Sequence, residues 1–129
     1  AKVFHRVHLH LNPNGIFAFD MNTVHGLQDQ WCFTTTPHDE HSTVIIETSF
    51  NNRRALGSCL ITGFLKDGKG YRKFQEEHIE RGYKVHEIEE LLRKAGFAFK
   101  KYDGRTLSTP KQRSAKLLYL CHKKNKSRK

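Results

Sequence analysis

The chain has 129 residues, enough for one domain or a piece of a larger one with a modest core. Apolar residues make up only 36%, and no apolar run reaches membrane-spanning length, which excludes a helical membrane protein. The formal net charge of +10 favours anionic partners.

Cys32, Cys59 and Cys121 are odd in number and lack a C-x-x-C pair, so they read as reduced thiols in a cytoplasmic protein rather than a disulfide framework. The start does not read as a signal peptide. It opens at Ala1 without Met, already inside a helical pattern, which suggests a piece cut from a longer protein.

In chain order, Val3, Val7 and Leu11 repeat at helical spacing, with Phe4 and His8 flanking that stripe. Asn12-Pro-Asn-Gly15 ends the helix. Ile16-Phe-Ala-Phe19 is a continuous apolar run, the pattern of a parallel strand covered on both faces. It leads into Asp20-Met-Asn-Thr23, polar residues at a strand's C-terminal tip, where open α/β sheets bind ligands. Residues 24–30 read as a short helix leading to Trp31, and 37–41 as a loop. Three strands follow at 43–50, 55–66 and 71–83, joined by Asn51-Asn-Arg53 and by Asp67-Gly-Lys-Gly70. They predict an antiparallel meander, with Gly57 and Gly63 as candidate bulges. Helical spacing returns at Val85, Ile88, Leu91 and Leu92, closed by Gly96. Strands at 97–102 and 115–121 frame a polar loop. The end carries Lys123, Lys124, Lys126, Arg128 and Lys129, either a solvated tail or a grip on RNA phosphates, though no RNA-binding motif accompanies it.

Chemistry concentrates at 71–83. Strand alternation puts Glu76 and His78 on one face and gives Arg81 and Tyr83 the opposite parity. Either the pairs face different ways, or a bulge between them unites carboxylate, imidazole, guanidinium and phenol around a polar substrate. The plainer alternative is a strand with a solvated charged face. His5 and His8 on the first helix, and His38-Asp-Glu-His41 in a loop, lack the i,i+4 geometry of a helical zinc site, so no metal is expected.

Three segments resemble class I S-adenosylmethionine-dependent methyltransferases. Leu11-Asn-Pro-Asn-Gly-Ile-Phe-Ala-Phe-Asp-Met-Asn22 is similar to the family's fifth strand and its preceding turn. Arg72-x-Phe74-x-Glu76-x-His78-x-x-Arg81-x-Tyr83 resembles a strand of a small bacterial subgroup with a meander inserted after that strand. Ile88-Glu-Glu-Leu-Leu-Arg-Lys-Ala-Gly-Phe97 is similar to the family's last helix and sixth strand. Asn14 departs from the family's Gly, and the basic tail has no counterpart. The N-terminal half that holds the cofactor is missing, so the resemblance assigns no cofactor-binding residue in this chain.

The resemblance implies an α/β fold: the C-terminal half of a Rossmann-like methyltransferase sheet (1–23 and 84–122), an inserted three-stranded antiparallel meander acting as lid (24–83), and a basic tail (123–129). It implies a parent enzyme using S-adenosylmethionine, this chain being its substrate-binding portion and inactive alone. Asn22, Trp31, Glu76, Arg81 and Tyr83 then bind a small-molecule or anionic methyl acceptor. His78 is the candidate general base, since imidazole exchanges protons near neutral pH. The open apolar edge of strand 16–21 predicts dimerisation, exchange of elements or poor stability. The alternatives are a non-enzymatic basic module binding RNA or another anionic partner, and a self-contained interaction domain.

Overall fold

The computed structural model describes residues 1–124, so the end of the basic tail lies outside the described residues. In chain order the elements are α1 (Lys2–His10), β1 (Phe17–Asn22), α2 (Val24–Gln30), β2 (Thr34–Thr35) and β3 (Ser42–Asn51). There follow β4 (Leu56–Asp67), β5 (Gly70–Arg81), α3 (Val85–Lys94), β6 (Phe97–Asp103) and β7 (Lys116–Lys123). They form two compact units: Ala1–Thr23 together with the chain from Tyr83 onward, and Val24–Gly82 between them. Among the described residues no helix is long and apolar enough to cross a membrane.

The first unit is a three-stranded sheet of order β1-β7-β6, antiparallel throughout. Its register sets Phe17 against Cys121, Phe19 against Tyr119 and Met21 against Leu117. One face therefore carries Phe17, Phe19, Met21, Leu117, Tyr119 and Cys121, and α1 and α3 supply the residues packed with them. Ile88 and Leu92 of α3 are buried there, and Phe97 opens β6 in the same cluster. Each such side chain adds about 1.5–3 kcal/mol on burial. From α1 come Phe4, Val7 and Leu11, with His8 edge-on to Phe97 at 5.1 Å between ring centres. The inward stripe is thus 4, 7, 8 and 11, and Val3, expected to belong to it, is exposed. That spacing is i, i+3, i+4, i+7, the full width of a helix face.

Helix α3 starts with the Glu87 carboxylate accepting from the Lys84 N–H at 3.2 Å, which satisfies one of the free donors of the first turn. It stops because Gly96 takes φ +87, which costs no Cβ clash at glycine. The Glu89 carboxylate, only 14% exposed, joins α3 to β6 by accepting from Arg93 at 3.1 Å and Lys101 at 2.6 Å. Arg93 in turn lies over the Phe99 ring, 5.3 Å from its centre.

The second unit is a four-stranded antiparallel sheet of order β2-β3-β4-β5. The expected meander is present, and the two-residue strand β2 adds a fourth member that is too short to show a period. Its hairpin at 67–70 closes with Asp67 opposite Gly70 and Gly68 at φ +58, the positive φ that matches strand twist in a two-residue turn.

Two expectations are corrected. Gly57 and Gly63 do not bulge, because the register runs unbroken along β4. They make room instead: a Cβ at Gly63 meets Phe74 at 2.1 Å, and one at Gly57 meets Trp31 at 2.6 Å. Strand β1 is not parallel to any partner among the described residues; its ladder is with β7, antiparallel. Nor is it covered on both faces, since Ile16 precedes the strand at 70% exposure and Ala18 and Asp20 point away from the core. An apolar run that includes a small residue reads as two-sided even when only its alternate large residues pack.

Tyr119 has no exposed surface, and its hydroxyl is buried without a hydrogen-bond partner in the structure. Burial pushes its ionisation up to about 12 and that of the Cys121 thiol up to about 11. Both groups are neutral in the folded state where the unfolded chain would already ionise. Their stabilisation is complete below the unfolded values near 9 and 10 and is lost as pH rises toward 11 and 12. Tyr119→Phe is expected to raise stability by about 1 kcal/mol, by removing an unsatisfied hydroxyl. It should also flatten this alkaline decline, as read from urea midpoints at neutral and alkaline pH.

Candidate functional site

In the first unit polar residues gather at the end of β1. Thr23 is buried; its N–H donates to Ala115 O at 3.0 Å and its hydroxyl to Ser114 O at 2.9 Å. Tyr83 lies beside Thr23 in a parallel bridge at the C-terminal tip of the strand, and Asn22, the last residue of β1, has the opposite parity to Thr23 and shares that of Asp20. Asp20, one step earlier on the exposed face, pairs with Lys116 at 3.2 Å.

The loop that meets this tip is held by Asp103. Its Oδ2 accepts from the Ser114 hydroxyl at 2.6 Å, and its Oδ1 from the N–H groups of Arg105 and Thr106 at 3.0 Å each. Ser114, led by that short hydrogen bond, and then the two N–H groups hold the Asp103 carboxyl well below the usual carboxylate range. The Ser114 oxygen also accepts from Lys111 N–H at 2.9 Å. Asp103 thereby fixes the loop whose end, Ser114 and Ala115, bonds Thr23. Sequence reading missed this set. The Asp103-Gly-Arg-Thr106 spacing is a legible turn signal, but the link to Thr23 spans most of the chain.

In the second unit the register decides which side chains share a face. Glu76 lies opposite Ile61 and His78 opposite Cys59, with no bulge through Arg81 opposite Leu56. Arg81 therefore falls on the other face, and the four-residue cluster that a bulge was to assemble does not form. Trp31 stands over Gly57, on the face of Glu76 and His78. There His78 Nε2 lies 3.2 Å from Glu76 Oε2, both side chains being more than half exposed. This face offers an indole wall, a half-buried thiol at Cys59 and an imidazole oriented by a carboxylate.

The opposite face, which sequence reading did not single out, carries an open cleft of about 550 Å³. Glu47 and Glu77 flank Leu60 across three strands, with Thr34, Ser49 and Ser58 on the rim. The Ser58 hydroxyl donates to Glu77 Oε1 at 3.2 Å. Only the β3–β4 and β4–β5 registers taken together place these two carboxylates on either side of Leu60.

No protein-family profile matches the chain. It is 26% identical over 124 residues to the Bacillus subtilis (strain 168) protein named "Putative methyltransferase YqeM", covering 95% of this chain and 50% of that protein. Among solved structures it superposes with TM-score 0.81 on an S-adenosylmethionine-dependent methyltransferase from Clostridium acetobutylicum ATCC 824, at 30% identity, covering 94% of this chain and 49% of that one. Streptomyces venezuelae DesVI shares the fold at TM-score 0.69 and 18% identity, again with 49% of its length covered. The chain thus has the α/β fold of a class I S-adenosylmethionine-dependent methyltransferase. It spans about half the length of the relatives it matches, in keeping with the C-terminal half that its motifs resemble.

Among the described residues, no glycine-rich turn of the kind that cradles S-adenosylmethionine follows a strand. In Rossmann-like sheets a glycine-rich turn between strand and helix lets the backbone approach the cofactor. The two strand-to-helix turns described are Thr23, after β1, and Gly82-Tyr83-Lys84, after β5. Neither is glycine-rich, and Gly82 is already packed against Val24, whose Cα stands 3.1 Å from the position of an added Cβ.

Two outcomes check this geometry. Trp31 is the single tryptophan, so Gly57→Ala should displace the indole and shift its emission while leaving far-UV circular dichroism unchanged. The depressed Asp103 contributes stability that is present above the ordinary Asp range, near 4, and is lost as pH falls below it. The stability gap between the native chain and Asp103→Asn should therefore hold from neutral pH down to about 4 and then narrow steadily as pH falls toward ~3 in urea titrations, closing only well below the ordinary Asp range.

Proposed function

We propose that this chain is the acceptor-binding part of an S-adenosylmethionine-dependent methyltransferase, with the unit Val24–Gly82 serving as lid and acceptor surface. The observation that carries this reading is the match to the Clostridium acetobutylicum enzyme along 94% of the chain. In this reading the cofactor is held by residues outside the chain, and the chain alone is inactive.

Each unit contributes its own polar set. Asn22 and Tyr83, at the tip of β1, hold polar atoms of the acceptor where α/β sheets bind ligands. Trp31 supplies an apolar wall. His78, oriented by Glu76, accepts the proton that a nucleophilic nitrogen or oxygen sheds on methylation. Arg81 serves an anionic group on the other face of the meander.

Calorimetric titration of S-adenosylmethionine tests the reading, run on this chain and on a form extended upstream in its natural gene. Binding by the extended form alone is the expected result. Binding by neither overturns the methyltransferase reading. In the extended form, His78→Asn should lower kcat by about 100-fold or more if the imidazole moves the proton. A rise in KM with kcat unchanged would reduce its role to binding.

A further inference from the structure

We propose that the outer edge of β5 is a self-association surface, on which a second copy of this chain lays its own β5 antiparallel to the first. Strand β5 ends the order β2-β3-β4-β5, and all twelve of its residues are exposed. No proline interrupts it, and its register with β4 is unbroken. Long straight edges are templates for pairing.

The phase of the ladder tells which backbone groups that edge presents. Alternate residues of an antiparallel strand turn their N–H and C=O to the same side. Thr48 N donates to Phe33 O on the β2 side of β3, and Lys66 N donates to His41 O on the β3 side of β4. Carried through the registers, this leaves the even-numbered residues of β5 bonded toward β4. Gly82 N, donating to Ala55 O at 2.7 Å, continues the same phase. Tyr71, Lys73, Gln75, Glu77 and Ile79 therefore direct their backbone groups outward.

Charge along most of the edge is segregated: Arg72 and Lys73 occupy one half and Glu76, Glu77 and Glu80 the other, with Arg81 as the basic residue that ends the acidic half. A parallel partner would set like against like. An antiparallel copy, centred on Gln75, sets Lys73 opposite Glu77 twice. It also sets Arg72 opposite His78, with Glu76 and Glu80 on the diagonals, within reach of a long side chain. The same register covers Tyr71 with Ile79, which are 66% and 63% exposed in the single chain. Aromatic and β-branched residues facing each other are a stabilising cross-strand pair. The ladder phase, the charge order and the two exposed apolar residues select one register among those available. Scattered charges would instead guard the edge against pairing, and the experiment separates the two cases.

Sedimentation of the 129-residue chain, without cofactor or acceptor, provides the test, so its outcome does not depend on the methyltransferase reading. The native chain should dimerise reversibly. Arg72→Glu with Lys73→Glu makes the edge acidic, and Glu76→Lys with Glu77→Lys makes it basic. Each double variant alone should weaken the dimer tenfold or more, and an equimolar mixture should restore a mixed dimer. Gln75→Cys should form an intermolecular disulfide on mild oxidation. Residues facing each other in a hydrogen-bonded antiparallel pair lie about 5.5 Å apart at Cα, inside the range a disulfide spans. If a double variant fails to fold, the Gln75→Cys cross-link decides. A monomeric native chain, a dimer indifferent to both charge changes, or failure of the cross-link would each overturn the proposal.

Discussion

The stacking of Phe19 on Tyr119 is the contact on which the first unit depends. The rings lie 5.1 Å apart at 12°, with Phe17 stacked on Phe19 at 5.0 Å and Phe4 tilted over it at 5.3 Å. Aromatic pairs add about 0.5–1.5 kcal/mol each beyond their buried area. Their larger effect here is on register. A one-residue slip of β1 against β7 would turn Phe17, Phe19 and Met21 away from the helices and expose them. With the register fixed, Thr23 arrives opposite Ala115, its hydroxyl reaches Ser114, and Asn22 is delivered to the strand's tip. The polar end of β1 is thus a by-product of an apolar stack further down the same strand.

Much of this architecture was legible because local signals agreed with the tertiary outcome. Helix α3 announced itself through Ile88 and Leu92 at helical spacing and through Gly96. The hairpin at 67–70 followed from its glycines. What local pattern could not settle was sidedness. Phe-Ala-Phe satisfies both a one-faced and a two-faced strand, and only the packing of α1 decides between them. Gly57 and Gly63 carry the signature of a bulge, yet their role is to yield space to Trp31 and Phe74, neither of which belongs to their own strand. Glycine reports that something comes close without saying what.

For the candidate site the dividing line is the strand period. Alternation alone groups Glu76 with His78 and separates Arg81 from them, and the unbroken ladder keeps them so. Motif spacing ran the other way, because residues close in sequence invite assembly into one cluster. The Glu47 and Glu77 pair shows the converse limit. No spacing rule brings together residues on the first and third strands of a meander, since their meeting rests on two registers at once. The Asp103–Ser114–Thr23 chain is of the same kind, a short legible turn whose consequence lies at the far end of the fold.

The chain leaves the first unit at Thr23 and re-enters it at Tyr83, and these two residues are bridged side by side. Departure and return through one doorway make the intervening segment topologically a bead on a closed loop. A shorter connector between the same two residues would leave the backbone path of the flanking elements undisturbed, and so would a different bead of any length. Such an arrangement lets a lineage replace the bead wholesale while inheriting the aromatic stack, the loop held by Asp103 and the strand tip unchanged. Diversity in what the protein handles can then accumulate without renegotiating how the rest of it folds.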